Sequence, residues 1–297
     1  MSDTAPQTKA TVEEEILLPD FIVSVTPTLK DFVSECMGSF QCPAHDLDHC
    51  FRVARLAAVI ATKKRDEEDS GTGARVVDVR TAFIAGLIHD VFDSKFSSTE
   101  AAAISESRLT EILLTEPGMD AAKVEIVIKV ARSVGYKNLI RPDWDISSFP
   151  AEYRCVQDAD LLDAIGAVGV ARSFAYGGRR NRLLFGGWEN LSTSVTVHAN
   201  EYNTKAGTSS LEHFFEKLLR LKSLMLTRHG KHLAERRHSF MVRFLMELGL
   251  DVGGIEGTSL RKRCEEEDDT RLAYESIHNG VILCLLDEVN LQIRRGY

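Results

Sequence analysis

The sequence predicts an all-α protein, and three observations predict it. Apolar residues recur at three- and four-residue spacing through most of the chain. No train of short alternating runs marks strands, and hydroxyl, proline and glycine signals stand where the periodic stretches begin and end. Hydrophobic residues make up 44% of the 297, with only 7 prolines, which excludes a disordered or collagen-like chain.

Residues 1–18 are polar and read as a loose tail. Thr26-Pro27 is a hydroxyl N-cap followed by proline at the first helical position, with Leu29, Phe32, Val33 and Cys36 on one face. Asp46 caps a second helix over 46–67, whose stripe is Cys50, Val53, Ala54, Ala57 and Ile60. Helices follow at 79–90, ending on His89-Asp90, then at 99–114 and 121–133. Residues 135–150, with two prolines, form a connector. The stretch 151–176 reads as one long or kinked helix, loosened at Gly166 and Gly169 and stopped by Gly177-Gly178. Residues 181–207 lack a period, 211–226 and 231–248 are strongly helical, and a last helical segment is expected over 259–295.

Charge narrows the partners. Lys plus Arg total 36 against 44 Asp plus Glu, a net charge of -8, which disfavours an extended nucleic-acid face but not a small basic pocket. The six cysteines form no CxxC pair, so neither a zinc ribbon nor a thioredoxin-like site is suggested. Residues 1–15 carry no apolar stretch, and the longest apolar runs fall short of the roughly 20 residues of a membrane helix, so a cytoplasmic protein is expected.

The chemistry-bearing residues are His49, the pair His89-Asp90, and Asp158. Imidazoles with carboxylates make a nitrogen–oxygen set suited to one divalent ion of the Mn²⁺, Fe²⁺, Co²⁺, Ni²⁺ or Zn²⁺ kind, and a bundle can point them inward from facing helices. A single helical histidine is more often a surface or core residue, so spacing alone does not decide the matter. Asp93 is a candidate general acid or base, with a helix cap or a partner for Lys95 as the structural alternative. Lys95 is a candidate phosphate contact or simply an exposed lysine. Arg172 and Tyr176, four apart, could bind phosphate and stack on a base or pack the helix end; His213 and Lys217 are another such pair. Arg179, Arg180 and Arg182 form a basic cluster, while Asp160 and Asp163 read as solvated or bonded to a neighbouring helix.

The runs HCFRVARLA from His49, GLIHDVFDSKF from Gly86 and VQDADLLDAIGAVGVARSFAYGG from Val156 are similar to the HD superfamily of metal-dependent phosphohydrolases. AHDLDH from Ala44, DSKF from Asp93, HFFEKLL from His213 and ERRHSFM from Glu235 resemble the small bacterial members of the nucleoside-triphosphate pyrophosphohydrolase type. The resemblance implies an HD-domain helical bundle over 19–248, between the 1–18 tail and a helical extension over 249–297. It further implies one divalent metal, Mn²⁺ before Ni²⁺, Co²⁺, Fe²⁺, Zn²⁺ or Mg²⁺, on His49, His89, Asp90 and Asp158, with His45 facing the phosphates. The implied substrate is a nucleotide, foremost a (deoxy)nucleoside triphosphate cut to monophosphate and pyrophosphate, with His45, Lys95, Arg172, Tyr176 and Lys217 as candidate contacts, Lys217 having a surface salt bridge as its alternative. The alternatives are a nucleotide-binding regulator with little turnover and a phosphomonoesterase on nucleoside monophosphates; a two-metal oxygenase lacks its extra histidines. The last helices are candidates for pairing two copies.

Overall fold

The computed structural model describes residues 18–38, 46–68, 76–92, 99–185 and 209–253, and among these there is no strand. The elements are α1 (Asp20–Val23), α2 (Pro27–Gly38), α3 (Leu47–Glu68), α4 (Val79–Leu87), α5 (Thr99–Thr115), α6 (Ala121–Ala131) and α7 (Tyr136–Leu139). A 3-10 turn (Ile146–Ser148) leads into α8 (Ala151–Asp163) and α9 (Gly166–Arg179). After α10 (Glu212–Glu216) and a 3-10 stretch (Leu218–Leu224), α11 (Arg228–Gly253) runs past residue 248. The all-α expectation holds. The expected 259–295 helix lies outside the described residues.

Caps open the helices where the sequence placed them. Thr26 Oγ1 accepts from Leu29 N at 3.3 Å ahead of Pro27, and Asp46 Oδ1 accepts from His49 N at 2.7 Å at the start of α3. Every residue of α4 is buried, so this helix is the axis of the molecule, packed by α3, α6 and α8. Contact with α3 is close enough to need a glycine: a Cβ on Gly86 would sit 2.9 Å from Ala54 Cα. Gly86→Ala is therefore expected to force α3 and α4 apart, costing roughly 1–3 kcal/mol of stability in a urea melt.

Three expectations are corrected. The 151–176 stretch is two helices, because Gly166, at φ +75°, turns the chain between α8 and α9. Gly177-Gly178 does not stop α9, which runs to Arg179 and ends at Asn181, the left-handed residue at φ 52°. There Arg182 N donates to Gly177 O at 2.9 Å and Asn181 N to Gly178 O at 3.2 Å, the paired bonds of a Schellman end. The 211–226 stretch is not one α-helix either: it breaks at Lys217 (φ -133°) and tightens to three residues per turn. That pitch lines Leu218 and Leu221 on one side, both buried, so core packing overrides helix propensity.

Candidate metal centre

The ends of three helices meet at one point. His49 lies in the first turn of α3, His89 and Asp90 in the turn that leaves α4, and Asp160 and Asp163 in the last turn of α8. Ligand atoms of His49, His89 and Asp90 all fall within 4.8 Å of one another. His49 Nε2 is 3.4 Å from Asp90 Oδ2, and His89 Nε2 is 3.4 Å from Asp90 Oδ1. Asp160 Oδ1 lies beside this group, 3.6 Å from His89 Nε2 and 3.9 Å from His49 Nε2. These separations exceed ordinary hydrogen-bond length. The three shorter ones, 3.4, 3.4 and 3.6 Å, match donors sharing an ion with bonds of about 2.0–2.2 Å, which stand roughly 3–3.6 Å from each other.

Each imidazole is aimed by a bond on its other nitrogen. His89 Nδ1 donates to Gly86 O at 2.8 Å, inside the same helix end. His49 Nδ1 donates to Asp163 Oδ2 at 2.7 Å. Both Nδ1 atoms are thereby fixed as donors and both Nε2 atoms face the centre, where each could bind a metal once deprotonated. The buried His89 Nε2 has no hydrogen-bond partner among the described residues. Asp163 is itself clamped by Arg52, through Nε at 2.8 Å and Nη2 at 3.1 Å, and by Arg172 Nη1 at 2.9 Å.

The electrostatics favour a cation. Burial disfavours a charged His89, yet Asp90 and Asp160 overcome it and raise the imidazole to about 9. Burial pushes Asp160 up, but the nearby imidazoles of His89 and His49 bring it below its ordinary value. Asp163 follows the same pattern: His49, Arg52 and Arg172 outweigh burial and hold it far below the usual carboxylate range.

The structure does not bring Asp158 to this cluster. Its carboxylate accepts from Leu226 N and Thr227 N at 2.8 Å each and from Thr227 Oγ1 at 2.6 Å, joining α8 to the start of α11. Burial pushes this carboxyl up to about 6 despite those donors. The reason for the exchange is helical pitch: two residues turn a side chain by about 200°, so Asp158 and Asp160 point to opposite sides of α8. Asp160 and Asp163, three apart, share a face. That i, i+3 spacing was the signal available in the sequence.

Arg172 also differs from expectation, since it holds Asp163 rather than an open pocket. Tyr176, one turn on, lies beneath Arg180 at 5.5 Å and Arg182 at 5.2 Å. Lys217 Nζ stands 5.0 Å over the Tyr136 ring. Burial, then the charges of Lys217 and Arg182, depress His213 to about 3, so these groups lie near one another. His45, Asp93 and Lys95 lie outside the described residues.

Comparison with known proteins fits this geometry. The HD domain family pattern matches residues 46–165, which span His49, His89-Asp90 and Asp160. Over 212 residues the chain is 32% identical to YpgQ of Bacillus subtilis strain 168, covering 71% of this chain and 86% of that one. The crystal structure of Bacillus subtilis YpgQ in complex with ADP superposes with a TM-score of 0.54 at 30% identity, over 77% of this chain and 98% of that one. A protein of Lactobacillus plantarum, 24% identical with a TM-score of 0.57 over 77% of this chain and 98% of its own, shares the fold. The motif order, the converging side chains and the identity with YpgQ lead to one assignment: the chain belongs to the HD-domain family.

Proposed function

We propose that this protein is a metal-dependent phosphohydrolase acting on a nucleotide, with water added across the α–β anhydride of a (deoxy)nucleoside triphosphate to give monophosphate and pyrophosphate. The observation that carries the reading is the convergence of His49 Nε2, His89 Nε2, Asp90 and Asp160 at distances that suit a shared cation. Held by these four residues, a divalent ion, Mn²⁺ foremost, supplies Lewis-acid polarisation of a phosphoryl oxygen and acidifies water. The chain's part is orientation. Asp163 and Gly86 O fix the two imidazole tautomers, and the Arg52–Asp163–Arg172 clamp keeps α3, α8 and α9 in register around them. Further along α9, Tyr176 with Arg180 and Arg182 offers cationic and aromatic surface for the phosphates and base. The ADP bound to YpgQ supports a nucleotide as the ligand class.

The test is a nucleotide panel with Mn²⁺, Co²⁺, Ni²⁺ and Mg²⁺ added singly, with phosphate and pyrophosphate release measured alongside elemental analysis. Turnover of triphosphates to pyrophosphate is expected with at least one ion. Nucleotide binding without turnover under any of them would instead make the protein a regulator.

A further inference from the structure

The turn between α8 and α9 is gripped from a further helix. Arg237, in the ERRHSFM run of α11, lays its aliphatic stem on Gly166: a Cβ there would sit 2.9 Å from Arg237 Cγ and 3.1 Å from Arg237 Cβ. The guanidinium reaches past the glycine and donates through Nη1 to Leu162 O. Leu162 stands in the last turn of α8, where backbone carbonyls have no partner further along the helix and a cation is favoured. The same turn presents Asp160 to the imidazoles and Asp163 to His49 Nδ1. Burial, with Arg236 beside it, lowers the Arg237 pKa against the opposing charge of Asp163. A guanidinium drawn from water in this way is stabilised only where a fixed partner accepts from it.

We propose that Arg237 is a positioning residue for the centre: from α11 it fixes the end of α8 in the orientation in which Asp160 and Asp163 meet the two histidines. This role rests on the reading of that cluster as a metal centre. Arg52 of α3 and Arg172 of α9 hold Asp163 by its carboxylate. Arg237 holds the neighbouring backbone, at Leu162 O, from another helix. Without it Asp163 keeps both of its guanidiniums, while the helix end on which they pull is free to follow them and to carry Asp160 out of place.

The experiment compares Arg237→Met, which keeps the stem over Gly166 and removes the guanidinium, with Arg237→Lys, which keeps stem and charge. Phe244→Leu is the control, because Phe244 packs on Phe174 and Phe214 and its loss loosens α11 against α9 and α10. Full-length chains are measured well below their melting temperatures, by Mn²⁺ titration and, metal-free, by the imidazole resonances of His49. Arg237→Met is expected to weaken Mn²⁺ binding about tenfold, the lower end for residues that support ligands, and to move the His49 Nδ1–H resonance. Arg237→Lys should recover most of both, and Phe244→Leu should lower the melting temperature and leave both in place. Unchanged affinity and resonance in Arg237→Met, or an equal loss in Phe244→Leu, overturns the proposal. Failure of the unmodified chain to retain any divalent ion overturns the metal-centre reading instead, and the His49 resonance of the metal-free variants then tests Arg237 by itself. Should Arg237→Met not fold, Arg237→Gln takes its place. A loss of about threefold is expected there, a neutral donor being roughly half as strong as a charged one, and no loss overturns the proposal.

Discussion

Asp160→Asn is expected to abolish metal retention and hydrolysis, while Asp158→Ala leaves both intact in the protein that stays folded. The two residues stand two apart on α8, so the comparison separates a ligand from a cap. Asp160 Oδ1 faces both imidazole Nε2 atoms, at 3.6 and 3.9 Å, and removing its charge takes away an anionic donor of the proposed centre. The loss should exceed the 10–100-fold typical of residues that only support ligands, so about 10²-fold is the minimum to look for. Asp158 instead satisfies Leu226 N and Thr227 N at the start of α11. Truncating it strands those amides at a cost of about 1–3 kcal/mol. For a chain of this size, at about 2–4 °C per kcal/mol, that lowers the melting temperature by roughly 2–12 °C. Elemental analysis, an activity assay and a thermal melt on each variant check the pair; hydrolysis surviving in Asp160→Asn and vanishing in folded Asp158→Ala would reverse the assignment.

Asp163→Asn should show the second large effect, weakening metal affinity about 10–100-fold while the ligands remain in place. Asp163 is a positioning residue: its carboxylate accepts from His49 Nδ1 at 2.7 Å and from Arg52 and Arg172. The amide can offer its NH₂ to His49, which favours the wrong tautomer and turns the Nε2 lone pair into an N–H aimed at the cation. Two guanidiniums then face a neutral group, and stability falls by about 1–3 kcal/mol, the usual cost for a broken buried pair being discounted because Arg52 is 37% exposed. Metal titration well below the melting temperature separates the roles. A purely structural residue would shift the melt and leave the metal dissociation constant where it was.

Much of the fold was legible because its signals are local. The Thr26-Pro27 and Asp46 caps act within one turn, and the apolar stripe of α3, Cys50, Val53, Ala54, Ala57 and Ile60, is buried as its spacing implied. His49, His89 and Asp90 were legible as a group, and they meet. What the sequence hid depends on rotation and on tertiary partners. Asp158 and Asp160 stand about 200° apart on one helix, and which of them faces the two histidines is invisible until the face of α8 toward α3 is known. Arg172 looked available for substrate because its partner, Asp163, lies across the Gly166 turn, a break the periodic pattern does not show. The 211–226 stretch has helical propensity throughout, and only the buried Leu218 and Leu221 explain its tighter winding.

Gly86 links two properties usually engineered apart. Its missing side chain lets α3 lie against α4, and its carbonyl receives the His89 Nδ1 proton. The acid–base identity of a buried histidine is thereby geared to the spacing of two hydrocarbon surfaces. Swelling the core at Ala54 or Ala57, distant in chemistry from any ligand, would detune the centre as surely as a change beside it.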